Sequence, residues 1–188
     1  MSADPIARFS ALEYLALERG SAERHELLDG EIYAMSGAST RHNTIASNVV
    51  IELGLQMRGR PCRVFTADMR VAASDHDFFY PDIVAVCGEL RLLDAEQDTL
   101  LNPAVVIEIL SPSTEAYDRG EKFAHYRQIE SLACCLLVSQ AERRIERYER
   151  REDGRWLLSD HTEADDEIDL PAIGCRLPLA AVYDKVDL

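Results

Sequence analysis

Two spacings of apolar residues recur along the chain, one of about 3.6 residues and one of two, and they divide it into helices and strands. Ser10-Ala11-Leu12-Glu13 has capping-box spacing, with Phe9 and Tyr14 placed as a hydrophobic staple, and the helix it starts should end near Gly20. His25 to Met35 reads as a hairpin, because Asp29-Gly30 between two strand-like runs is the preferred type I′ turn. Glu31 then heads the returning strand. After a loop from Gly37 to Thr40, Ser39 or Thr40 can cap a second helix reaching Met57, which Gly59 ends. Its apolar face carries Ala46, Val49, Val50, Leu53 and Met57, and His42 lies at the start of that face.

Strict alternation over Val64 to Val71 predicts one strand, with Phe65, Ala67, Met69 and Val71 on one side and Asp68 and Arg70 on the other. A polar turn from Ser74 to Asp77 leads into a second strand, Tyr80 to Cys87, with Asp82 at the start of its apolar run. Gly88 to Leu101 reads as a polar loop. Val105 to Leu110 is then a strand buried on both faces, bounded by Asn102-Pro103 and Ser111-Pro112. A further helix follows, with capping-box spacing in Asp118-Arg119-Gly120-Glu121 and a shared face of Lys122, Tyr126 and Ile129. Cys134 to Val138 is another buried strand. Arg143 to Arg151 and Trp156 to Leu158 form a half-exposed pair across Asp153-Gly154. The acid run from Glu163 to Asp169 reads as a solvated loop, and from Leu170 the chain is a tail with a short helix at Leu179 to Tyr183.

One residue breaks this pattern. Glu108 sits at the centre of the buried strand, where an unpartnered carboxylate would cost several kcal/mol. It must be paired, protonated or bound to a metal. Asp82 is the sole acid of the preceding apolar strand, and side chains on neighbouring strands can share one hard cation through oxygen ligands. Lys122, on the inward face of the next helix, is the candidate protein cation. Two readings stand at this point: structural pairing of Glu108 with Lys122 or Arg70, or a metal and phosphate site built from both acids and the lysine.

Composition narrows the partners. The chain has 188 residues, 47% hydrophobic and 29% charged, which suits one domain over residues 1–188. No apolar run approaches the length of a membrane span, and the N-terminus lacks signal-peptide character, so a cytoplasmic location is expected. Five cysteines without a C-x-x-C pair predict free buried thiols. A net charge of −14 argues against binding that rests on neutralising many phosphates. Arg58, Arg60, Arg63 and Arg70 cluster in sequence and either line a cleft or form a solvated surface.

Pro81-Asp82, followed by Glu108 near the end of an apolar strand, resembles the core of the PD-(D/E)xK nucleases. More narrowly, five stretches resemble the bacterial Uma family of restriction-endonuclease-like proteins. They are Glu26-Leu27-Leu28-Asp29-Gly30-Glu31-Ile32, Arg41-His42-Asn43, Tyr80-Pro81-Asp82, Val106 to Thr114, and Asp118-Arg119-Gly120-Glu121-Lys122-Phe123. The resemblance implies an α/β (α+β) fold with an αβββαβ core. Its mixed central sheet would be flanked by helices, with an N-terminal hairpin and a C-terminal antiparallel extension. It also implies Mg²⁺- or Mn²⁺-dependent hydrolysis of DNA, with Asp82, Glu108 and the Ile109 carbonyl as metal ligands and Glu31 as an outer one. Leu110 stands where the usual pattern has its lysine, a role that passes to Lys122 on the following helix. His42 would support a ligand or contact DNA, unless it is only bonded locally at its helix start. A homodimer is expected for cutting both strands. The competing expectation is a nuclease-fold protein that serves as a non-catalytic binding or assembly module.

Overall fold

The capping box at Ser10 forms in full: its hydroxyl accepts the Glu13 amide, the Glu13 carboxylate accepts the Ser10 amide, and α1 runs Ala11–Gly20. The computed structural model describes residues 8–35 and 37–188. Strands β1 (His25–Leu28) and β2 (Glu31–Ala34) pair antiparallel across Asp29 and Gly30, which hold the positive φ angles, 49° and 82°, that the tight turn needs. Helix α2 (Thr40–Met57) is capped by the Ser39 hydroxyl, which accepts the His42 amide, and buries Ile45, Val49, Leu53 and Met57.

The predicted strand from Val64 to Val71 is two strands in two different sheets, β3 (Cys62–Thr66) and β4 (Arg70–Ala72). The Met69 amide bonds back to the Thr66 carbonyl, so the chain turns at Ala67-Asp68. The strand predicted from Tyr80 to Cys87 begins only at Ile83, as β6 (Ile83–Cys87); β5 (Phe78–Phe79) lies before the predicted run and in the other sheet, with Tyr80-Pro81-Asp82 between the two. Pro81 has no N–H to give a ladder, so pairing stops there. The expected polar loop after Gly88 contains β7 (Thr99–Leu100), which runs parallel to β4.

β8 (Val105–Leu110) is buried throughout and lies parallel to β9 (Cys134–Ser139), with β6 antiparallel on its other side. β10 (Ile145–Arg150) and β11 (Trp156–His161) extend this sheet antiparallel, giving the order β11-β10-β9-β8-β6-β3. A second sheet has the order β2-β1-β5-β4-β7. The fold is thus mixed α+β, with a mixed sheet flanked by helices and antiparallel strands at its C-terminal end. The acid run expected to be a solvated loop supplies β12 (Glu167–Leu170), which pairs with β13 (Cys175–Pro178). Alternation explains the difference: Glu167 and Asp169 face solvent, while Ile168 and Leu170 enter the core. A short α5 (Leu179–Val182) follows.

Alternation along β8 also assigns the two core layers. Val105, Ile107 and Ile109 pack with the buried face of α2, whereas Val106 and Leu110 pack with Phe79, Phe123 and Tyr126. Glu108 shares the second face by parity. That face is covered by a helical stretch of three parts: α3 (Glu115–Tyr117), a π-helical turn over Asp118–Lys122, and α4 (Phe123–Tyr126). Asp118, expected to cap this helix, is instead inside it and buried.

The thiol expectation needs a correction. Cys62 and Cys87 are joined in a disulfide, because β3 and β6 set them directly opposite each other; Cys134, Cys135 and Cys175 are free and buried. No helix among the described residues is long and apolar enough to cross a membrane.

Candidate active site

The end of the mixed sheet where β6 begins and β8 finishes gathers the acids. Ile83 pairs with Ile107, so Asp82 falls beside Glu108. The Ile109 amide donates to Asp82 Oδ2 at 2.7 Å, and the Asp82 amide lies 3.4 Å from Glu108 Oε2. From the π-helical turn Lys122 reaches Glu108 Oε1 at 3.0 Å and Glu26 Oε1 at 2.9 Å, and its Nζ stands 4.0 Å from Asp118 Oδ1. The Tyr126 hydroxyl donates to Glu108 Oε1 at 2.6 Å. A wider turn of this kind recurs at functional sites, and here it brings Asp118 and Lys122 inward together. On the opposite wall His42 Nε2 is 3.0 Å from Asp82 Oδ1, held by the Ser39 cap one turn back.

These groups are deeply placed: Glu108 is 3% exposed and Lys122 5%. Burial pushes the Glu108 carboxyl up to about 8; Lys122 opposes that rise, and Asp82, Asp118 and Glu26 add to it. Burial alone would lower the Lys122 ammonium, but Glu108, Glu26 and Asp118 more than reverse this and hold it well above its ordinary value. Lys122 is therefore a fixed positive charge at neutral pH, not a base. Asp118 is raised, chiefly by burial.

Of the residues singled out in the sequence, the structure brings Asp82, Glu108, Ile109, Lys122 and His42 to one cleft of about 1040 Å³. Glu31 is not among its lining residues; its carboxylate accepts the Tyr33 hydroxyl at 2.9 Å. Glu26, five residues earlier in the hairpin, is the N-terminal acid that reaches the site, and its Oε1 also accepts the Tyr80 amide at 2.9 Å. Sequence reasoning passed over Glu26, Asp118 and the Glu108 contact of Tyr126. Asp118 and Tyr126 were accessible as the residues four before and four after Lys122. The arginine cluster does not line the cleft: Arg70 is buried against Thr99 and Tyr80, and Arg60 caps the Ile173 and Gly174 carbonyls.

The donor set suits a hard divalent cation. Four carboxylates, the buried Glu26, Glu108 and Asp118 and the half-buried Asp82, share the cleft with the single ammonium of Lys122, oxygen donors of the kind a hard divalent cation takes. Nearby, the Tyr117 hydroxyl is buried with no hydrogen-bond partner among the described residues, which marks the site as polar and incompletely satisfied. A second acid and histidine group, Asp29, Asp77 and His125, lies elsewhere. Asp77 there already accepts the Asp29 amide, the Ser74 hydroxyl and a His125 nitrogen, so the group braces the β1–β2 turn against α4.

Comparison with known proteins bears on the fold and the family. A crystal structure described as a putative nuclease belonging to DUF820, from Anabaena variabilis ATCC 29413, superposes with a TM-score of 0.78 at 18% identity, covering 94% of this chain and 98% of that one. Two proteins of Synechocystis sp. (strain ATCC 27184 / PCC 6803 / Kazusa) are similar in sequence. Uncharacterized protein sll1609 is 36% identical over 152 residues, 80% of this chain and 86% of that one. Uncharacterized protein slr1290 is 33% identical over 180 residues, 95% of this chain and 93% of that one. The family model Uma2, described as "Putative restriction endonuclease", matches residues 11–180, and the chain therefore belongs to the Uma2 family.

Proposed function

We propose that this protein is a Mg²⁺-dependent (or Mn²⁺-dependent) endodeoxyribonuclease that hydrolyses phosphodiester bonds at the Asp82–Glu108–Lys122 cleft. The observation that carries the reading is the meeting of two carboxylates from adjacent strands with one buried lysine at the floor of an open cleft. Asp82 and Glu108 would hold the metal, with the Ile109 carbonyl as a further ligand. When bound, the metal polarises the phosphate and lowers the pKa of a coordinated water.

The protein's own groups divide the remaining work. Tyr126 and Lys122 both occupy Glu108 Oε1, which fixes the carboxylate and directs Oε2 toward Asp82. His42 and the Ile109 amide fix Asp82 in the same way. Lys122, charged throughout the neutral range, can orient water or offset negative charge that develops on the phosphate. Glu26 tethers its ammonium. Asp82, Glu108, Lys122, His42 and Glu26 all line one cleft of one chain, so the reading does not depend on the homodimer expected from two-strand cleavage.

The acidic lining supports a competing reading, a binding or assembly module without catalysis. Thermal melting separates metal from no metal: a cation that binds only the folded state raises the midpoint. Mn²⁺ should stabilise the wild type and leave Asp82→Ala and Glu108→Ala unmoved. An unmoved wild type would remove the metal site, and the nuclease reading with it.

A further inference from the structure

The charges on the cleft walls bear on which form of DNA it accepts. Among the described residues its lining includes five acids, Glu26, Asp82, Glu108, Asp118 and Glu121, and no arginine. The basic side chains lining it, Lys122 and His42, are each already bonded to carboxylates. Duplex DNA presents one negative charge per ~1.7 Å of axis, and proteins that hold it do so by neutralising many phosphates at once. This cleft offers no such surface, and the chain carries a net charge of −14.

What the walls do offer is apolar and aromatic. Tyr33 is 46% exposed and Ile51 57% exposed, and both line the cleft together with Met35 and Pro112. Tyr33 pairs directly with Glu26 across β1 and β2, so its side chain stands beside the acid that tethers Lys122. Its hydroxyl is held by Glu31. An exposed ring fixed next to the reactive groups can stack an unpaired base, whereas the bases of a duplex are already stacked on each other.

Resting on the nuclease reading above, we propose that the cleft takes an unpaired DNA strand, with Tyr33 as its base-stacking platform and the metal site engaging a single phosphodiester. Glu31 then orients the Tyr33 ring and does not ligate the metal.

The test is fluorescence anisotropy of a labelled single-stranded oligonucleotide and of its duplex, with Ca²⁺ replacing Mg²⁺ to stop turnover. The single strand should bind at least tenfold more tightly. Its log K should fall with log salt at a slope of about −1 to −2, against about −4 or steeper for a protein that neutralises six or more phosphates of a single strand. Tyr33→Ala should weaken single-strand binding about 5- to 150-fold, the range of one lost base stack of ~1–3 kcal/mol. Tyr33→Phe, which keeps the ring but loses the Glu31 contact, should retain most of the affinity that Tyr33→Ala loses. Equal or tighter duplex binding, a steep salt slope, or an unaffected Tyr33→Ala would each overturn the proposal. Mn²⁺ melting of the same samples keeps the two claims apart: a Mn²⁺ shift with no preference for the single strand sinks only this inference, and no shift sinks the metal site beneath it.

Discussion

Replacing Lys122 by methionine keeps most of the length and the apolar character of the stem and removes its charge. In the folded protein that ammonium lies 3.0 Å from Glu108 and 2.9 Å from Glu26, both buried. Removing one partner of a buried ion pair costs about 3–5 kcal/mol, because the other charge stays desolvated. For a domain of this size each kcal/mol lowers the melting midpoint by roughly 2–4 °C, so Lys122→Met should melt about 6–20 °C below wild type. The loss should depend on pH. Glu108 can escape an uncompensated charge by taking up a proton, so the deficit should be larger at pH 9 than at pH 6. Mn²⁺ should recover part of it, since a metal at 100 times its Kd adds ~2.7 kcal/mol. The assay is thermal or urea denaturation of both proteins at the two pH values, with and without Mn²⁺. A loss below about 1 kcal/mol, in the range of a surface substitution, would show that Lys122 is not the counter-ion of these carboxylates.

Three further outcomes follow from the same contacts. Glu26→Gln should reduce cleavage by freeing Lys122, while Glu31→Gln should leave cleavage of a pre-bound oligonucleotide unchanged; equal losses in single-turnover assays would show that the hairpin acids have been assigned the wrong way round. Tyr126→Phe should destabilise by about 1–3 kcal/mol and weaken Mn²⁺ binding, because Glu108 loses a 2.6 Å donor in a buried setting; calorimetric titration with unchanged affinity would contradict it. Glu108 is raised from 4.5 to about 8, so between those values the folded chain holds a proton that the unfolded chain lacks. Stability without metal should therefore fall as pH rises through that window, while Mn²⁺ affinity climbs by up to about tenfold per pH unit and levels off above it. A flat affinity profile from pH 6 to 8 would mean that Glu108 gives up no proton to the metal.

Glu108 was legible in the sequence because a charge inside a run of Val, Ile and Leu is visible in one dimension. Lys122 and Tyr126 were legible as a pair because helical spacing puts residues four apart on one face. Strand register is not visible in that way. Glu26 and Glu31 lie in the same hairpin on facing strands, and only the packing of β1 against β5 and the π-helical turn gives Glu26 the contact with Lys122. Register also decides Cys62 and Cys87, 25 residues apart in sequence yet opposed on neighbouring strands. Arg70 alternates like a solvent-facing residue, and its burial depends on Thr99 of β7 and on Tyr80 between β5 and β6. The π-helical turn leaves no period of its own in five residues, so Asp118 read as a cap when it belongs to the interior.

The central claim, metal-dependent phosphodiester hydrolysis at this cleft, is met most directly by cleavage of circular DNA, single-stranded and supercoiled. Wild type would be compared with Asp82→Ala, Glu108→Ala and Lys122→Ala, in Mg²⁺, Mn²⁺ and excess chelator. Wild type should cut only with the metal and faster on the single-stranded circle, and cutting should fall by about 100-fold or more in each variant. Equal residual nicking by wild type and all three variants, unaffected by chelator, would contradict the central claim.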